Sequence, residues 1–151
     1  ASQMLESVVQ ECATADVLVM SAAIADFRPL KSEKEKIKKS TGFSSIALEP
    51  TKDVLVEISK KKEKTGFPRI VIGFAAESKE LNSNAKQKLA EKKLDMIVAN
   101  DITKSDSGFE VDTNQVVMIT KDGSTETIPL LKKNEIAEII MDRIISWIRK
   151  D

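Results

Sequence analysis

Three short apolar runs constrain this chain more than anything else in it: "ADVLVM" just before Ser21, "RIVIGFAAE" at 69–77 and "DMIVAND" at 95–101. Each is rich in β-branched and apolar residues, as strands inside a parallel sheet are. The first is predicted as a strand over 16–22, and helical periodicity fills the gaps between the runs. Residues 2–14 place Met4, Leu5, Val8, Val9 and Cys12 on one helical face, with Ser2 as its candidate cap. Thr51 is the expected N-cap of a second helix running through Val54, Leu55 and Ile58 into the lysines before "TGFP". Leu81, Ala85 and Leu89 recur every fourth residue in a third helix over 81–93.

The tail has a different pattern. "EVDTNQVVMITKDGSTETIPL" carries a Lys-Asp-Gly turn between two extended stretches, which predicts a hairpin. A last helix over 134–149 turns Ile136, Ile140, Ile144 and Trp147 inward. The expected fold is α/β, a Rossmann-like and mostly parallel sheet with an antiparallel hairpin at one edge, in a single domain over 1–151. The order opens on a helix, and the five glycines form no phosphate loop. A doubly wound fold usually opens on a strand feeding such a loop, so the sequence reads as the later part of a longer domain.

Composition narrows the chemistry. Lys+Arg and Asp+Glu each total 24, so no net charge argues for nucleic acid. The lysines of "KSEKEKIKK" (31–39) and "SKKKEK" (59–64) read first as solvated surface. Without any histidine, the chain holds no Ser-His-Asp or Cys-His constellation and no His-ligated metal site, and the single Cys12 forms no intrachain disulfide. No apolar run reaches the roughly 18 residues of a membrane span, and the expected compartment is the reducing cytoplasm.

Small residues and carboxylates recur where the strands end: "SAAIADFRP", "GFAAES" and "VAND". Parallel neighbours bring these ends to one edge, where open α/β sheets bind ligands, and so group Asp26, Glu77, Asn100 and Asp101. Alanines let a planar ligand approach the backbone, although they also permit close helix–sheet packing. Lys88 and Lys92, four apart on one helix, share a face. With Arg28, Lys36, Lys38 and Lys39 they can surround a polyphosphate.

Taken in order, "SAAIADFRP", "KIKK" (36–39), "KDVL" (52–55), "IGFAAES" (72–78), "AKQKLAEKKLD" (85–95), "IVAND" (97–101) and "GFEVDTNQVVMI" (108–119) resemble phosphopantothenoylcysteine synthetase, the ligase domain of the bifunctional coenzyme A biosynthesis flavoprotein. The resemblance implies a ligase that joins phosphopantothenate to cysteine, using CTP and Mg²⁺ and passing through an acyl-cytidylate. It implies nucleotide contacts from Met20, Ser21, Ala22, Asp26, Lys36, Lys52, Asp53, Val54, Leu55, Phe74, Lys88 and Lys92. It further implies catalytic roles for Lys36 and Asn100, and Asp26 as the metal ligand. Lys52 stands where the family often has proline. A homodimer through the hairpin region, 108–130, is implied as well, with neither nucleic acid nor membrane as a partner.

The family's opening "GGT-x-E" loop and "N-x-SSG-x-MG" stretch are absent from these residues, so full ligation is expected to need that segment. Two other readings stand beside this one: a non-catalytic nucleotide-binding or dimerisation module, and a Rossmann-like domain for another nucleotide such as NAD(P). The missing Gly-rich loop speaks against the latter.

Overall fold

The computed structural model describes residues 1–31, 35, 45–103 and 111–149. Lys36, Lys38 and Lys39 lie outside the described residues. Among the described residues the elements in order are α1 (Ser2–Glu11), β1 (Val17–Met20), β2 (Phe27–Pro29), β3 (Leu48–Pro50), α2 (Val54–Thr65), β4 (Ile70–Glu77), α3 (Leu81–Glu91), β5 (Met96–Asp101), β6 (Thr113–Thr120), β7 (Thr125–Lys132) and α4 (Lys133–Ile148).

The sheet has the order β1-β4-β5-β6-β7. β1, β4 and β5 are parallel, each parallel pair separated in sequence by a helix, and the β6–β7 hairpin adds antiparallel to β5. This is the expected α/β architecture with its hairpin at one edge. Side-chain alternation along the central strands divides the core into two layers. Ile97 and Ala99 of β5 join Val71 and Ala75 of β4 beneath α2 and α3. Met96 and Val98 join Ile70, Ile72 and the α4 residues Ile136, Ile140 and Ile144 on the other face. Trp147 is half-buried at the end of that layer.

Two expected caps differ. Ser2 is the first residue of α1, whose N-cap position is Ala1. α2 is capped not by Thr51 but by Asp53, whose side chain accepts from Val56 N at 3.2 Å. Asp53 is placed two residues nearer the apolar face, where its carboxylate reaches a helix N–H. α2 stops at Gly66, which takes the left-handed φ of 79°. The extended stretch before Thr51 pairs as β3 with β2 in a separate two-stranded sheet.

At the N-terminal ends of the parallel strands a buried carboxylate ties the layers together. Asp95 accepts from Lys62 Nζ at 2.5 Å, Lys121 Nζ at 2.7 Å and Val71 N at 2.8 Å. It thereby joins α2, the hairpin turn and β4 at the start of β5. Among the described residues, no helix is long and apolar enough to cross a membrane.

Candidate functional site

At the opposite, C-terminal edge of the parallel strands lies a cavity of about 330 Å³. Its floor is the end of β1 and β4: Met20, the run Ala22 to Asp26, and Phe74 to Ala76. The run after β1 is held to the start of α2 by Thr51, whose Oγ1 donates to Ala25 O at 2.6 Å and whose N donates to Asp26 O at 2.8 Å. Thr51 is therefore a tie for this loop rather than a cap. Lys52, Asp53, Val54 and Leu55 form one wall as α2 begins, and Lys88 and Lys92 of α3 form the other.

Both lysines are positioned by carboxylates. Lys88 Nζ lies 2.6 Å from Glu77 Oε1, and Asn84 Nδ2 donates to Glu77 Oε2 at 3.2 Å. Glu77 is itself buried at the end of β4. Lys92 Nζ lies 2.8 Å from Asp53 Oδ2, bridging the two helices. Burial pushes the Asp53 pKa up, but the hydrogen bonds from Lys92 and Val56 N outweigh it and leave it below the ordinary carboxylate value. Each ammonium has three donors, so one carboxylate contact leaves capacity for a ligand oxygen. Cations on one side, a helix start on the other and a floor of alanines suit a flat ring carrying phosphates.

The structure thus brings Met20, Ala22, Asp26, Lys52, Asp53, Val54, Leu55, Phe74, Lys88 and Lys92, all named above from the resemblance, into the lining of one cavity. Lys36 lies outside the described residues. Ser21 and Asn100 line instead a second cavity of about 570 Å³, between the strand ends and α4. The reason is the period of two along a strand. Met96 and Val98 face α4, and Asn100 follows them, so it parts company with Asp101. Asp101 Oδ1 accepts from Thr103 N at 2.9 Å and Thr103 Oγ1 at 2.6 Å.

Among the described residues no three His, Cys, Asp or Glu side chains gather as a metal site. Asp26 and Asp53 are the carboxylates lining the first cavity. That suits Mg²⁺, which is commonly held by one or two carboxylates together with substrate phosphates. The expectations made from motifs did not include the Glu77–Lys88 or Asp53–Lys92 pairs, nor Asn114 and Lys133, which line the second cavity. An aspartate just before an apolar helical run was the available signal for Asp53 as a cap.

Known proteins resemble this chain over nearly its whole length. The chain is 37% identical over 144 residues to the coenzyme A biosynthesis bifunctional protein CoaBC of Bacillus subtilis (strain 168), covering 95% of this chain and 34% of that protein. It is 35% identical over 148 residues to a cysteine/cysteine sulfinic acid decarboxylase of an unknown prokaryotic organism, covering 98% of this chain and 40% of that protein. The chain therefore spans well under half the length of these curated relatives. The crystal structure of the C-terminal domain of a coenzyme A biosynthesis bifunctional protein CoaBC superposes with a TM-score of 0.77 at 36% identity, covering 100% of this chain and 64% of that one. These relatives bear out the resemblance carried by the motifs. With residues 1–148 matched, the chain belongs to the DNA/pantothenate metabolism flavoprotein C-terminal domain family.

Proposed function

We propose that this chain is the nucleotide-binding portion of a CTP-dependent phosphopantothenate–cysteine ligase in coenzyme A biosynthesis. The observation that carries the reading is the first cavity, where Lys88 and Lys92 face the start of α2 across an alanine-lined floor. In this reaction a carboxylate oxygen of phosphopantothenate bonds to the α-phosphorus of CTP. The bond from that phosphorus to the bridging oxygen breaks, and pyrophosphate leaves with the electron pair. The cysteine amine then attacks the acyl carbon, CMP leaves, and the amine proton passes to solvent.

Negative charge grows on the phosphates in the first step, and fixed cations in a partly dry site stabilise it. Lys88 and Lys92 supply that role, each steadied by its carboxylate. Asp26, on the cavity lining, would help to hold Mg²⁺, which when bound would supply charge neutralisation to the phosphates. Neither step requires histidine or a covalent nucleophile from the protein. The cytosine ring fits the backbone of Phe74 to Ala76, whose N–H and C=O groups can read its edge. The same reading includes Lys36 acting on the β- and γ-phosphates, Asn100 acting at the acyl group, a homodimer, and a cytoplasmic setting.

The direct readout is binding, because the curated relatives are much longer than this chain. CTP with Mg²⁺ should raise the thermal midpoint more than ATP or GTP does, since only a ligand of the folded state shifts it. Lys88→Met should weaken CTP by about 30-fold, equivalent to about 2 kcal/mol for one charge-assisted contact. Equal shifts with all three nucleotides would reduce the site to generic phosphate binding.

A further inference from the structure

A third cavity, of about 270 Å³, lies at the N-terminal ends of the parallel strands, and the ligase reading does not use it. We propose that it binds a small zwitterion, an α-amino acid with an apolar side chain. The cavity opens where β4 and β5 begin and β6 ends. The 8 residues of β4, roughly 25 Å of strand, therefore separate it from the nucleotide cavity. It stands apart from the reacting groups, and the inference is independent of the ligase reading.

The lining combines an apolar floor with a rim of mixed charge. Ile70 and the half-buried indole of Trp147, in the last turn of α4, supply the apolar surface. The indole N–H has no acceptor among the described residues, so it can donate to a ligand oxygen. Arg69 and Lys121 bring two cations, and Asp95 and Asp122 bring two carboxylates. Lys121 Nζ lies 2.7 Å from Asp95 Oδ1, and Arg69 Nη1 lies 3.8 Å from Asp16 Oδ1. Thr120 Oγ1 donates to Asp122 Oδ1 at 2.5 Å, and Ser124 N donates to the same oxygen at 2.9 Å. These bonds lower the Asp122 pKa from 3.8 to about 2, so the group is an anion at neutral pH.

Charge of both signs around one apolar floor selects the ligand. A plain anion would meet Asp122, and a plain cation would meet Arg69 and Lys121, a like-charge contact in either case. A zwitterion meets neither penalty, because its carboxylate turns to the cations and its ammonium to Asp122. Asp95 is already engaged by Lys62, Lys121 and Val71 N, which leaves Asp122 to receive the ammonium. Lys121 and Asp122 are consecutive in the exposed turn after β6, so the two charged ends must lie close together, as they do on one α-carbon. The ligand's side chain then covers Ile70 and Trp147.

Trp147 is the single tryptophan and the chain has no tyrosine, so intrinsic fluorescence reports on this cavity. L-Leucine should change the emission saturably at millimolar concentration. N-acetyl-L-leucine lacks the ammonium and L-leucinamide lacks the carboxylate. Each should bind about tenfold more weakly, through loss of one charge-assisted contact. Asp122→Asn keeps an acceptor for Thr120 and Ser124, so the turn is retained. It should weaken L-leucine by about tenfold and strengthen N-acetyl-L-leucine, since the like charge is gone. Arg69→Gln should do the reverse, weakening L-leucine while favouring L-leucinamide. A retained thermal midpoint shows that each variant folds, and the three ligands on the unmodified protein decide the matter without them. No saturable change with any ligand, equal changes with all three, or displacement of L-leucine by CTP overturns the assignment.

Discussion

Asp95 holds three donors with one buried carboxylate: Lys62, Lys121 and the N–H of Val71. Burial alone raises its pKa, but the hydrogen bonds from the two lysines and the backbone overcome that and lower it below the ordinary 3.8. A folded-state pKa below the unfolded one stabilises the fold above the unfolded value and loses that contribution as pH falls through the folded one. The contribution of Asp95 is therefore present at neutral pH and fades below about pH 4. Asp95→Asn should cost about 2 kcal/mol at pH 7 by urea unfolding, since both lysines can turn to solvent and asparagine can still accept from Val71. The gap between variant and wild type should narrow steadily as unfolding is repeated towards pH 2; a constant gap would assign the loss to packing. Glu77 acts differently, through Lys88. Glu77→Gln weakens the anchor on that ammonium while keeping the shape, so CTP affinity should fall several-fold, by less than Lys88→Met causes. An unchanged affinity, measured by calorimetry, would show that Lys88 finds its position without Glu77.

At the scale of elements, β4 is the central piece, and Gly73 is its tightest point. A Cβ there would meet Leu94 Cδ1 at 2.8 Å and Leu55 Cδ1 at 3.2 Å. Both are ends of flexible side chains, so Gly73→Ala should fold with a loss of about 1–2 kcal/mol from overpacking. Leu55 also lines the first cavity, so CTP binding should weaken in parallel. Denaturant melts with and without CTP separate the two effects, and full CTP affinity would show that Leu55 yields away from the site. β4, β5 and the hairpin were legible in the sequence because each is a long apolar or alternating run with clear turn residues. The two-stranded sheet was not, because β2 and β3 are three residues each and find one another only through tertiary pairing. The first cavity was legible through its motifs, whereas "VAND" misled when read as one unit. Strand alternation sends Asn100 to the α4 side, and a motif quoted as a string hides that split. Asn114 on β6 and Lys133 on α4 are separated by the whole of β7, and no local pattern joins them.

At the scale of the molecule, the apolar stretch "QVVMI" does not have the meaning its composition suggests. It is the core of β6, an interior strand paired on both sides, and Val116, Met118 and Ile119 are buried within this chain. Its hydrophobicity therefore needs no partner copy. A homodimer through 108–130 must use what the hairpin leaves outside, chiefly β7, the outer strand of the sheet, where Leu130 is 48% exposed. Pro129 removes one donor from that strand and limits simple edge-to-edge pairing, which favours side-chain packing over a continuous sheet. Other apolar side chains compete for the role: Phe27, Leu30, Ile46 and Leu48 around the small β2–β3 sheet are each more than half exposed. Light scattering at micromolar concentration should give the mass of two chains. Leu130→Lys should then shift that mass toward one chain, because a buried unpaired ammonium opposes the contact, while Leu48→Lys should leave the dimer in place. Dissociation by Leu48→Lys alone would move the interface to the small sheet, and a single-chain mass for the unmodified protein would remove the dimer altogether.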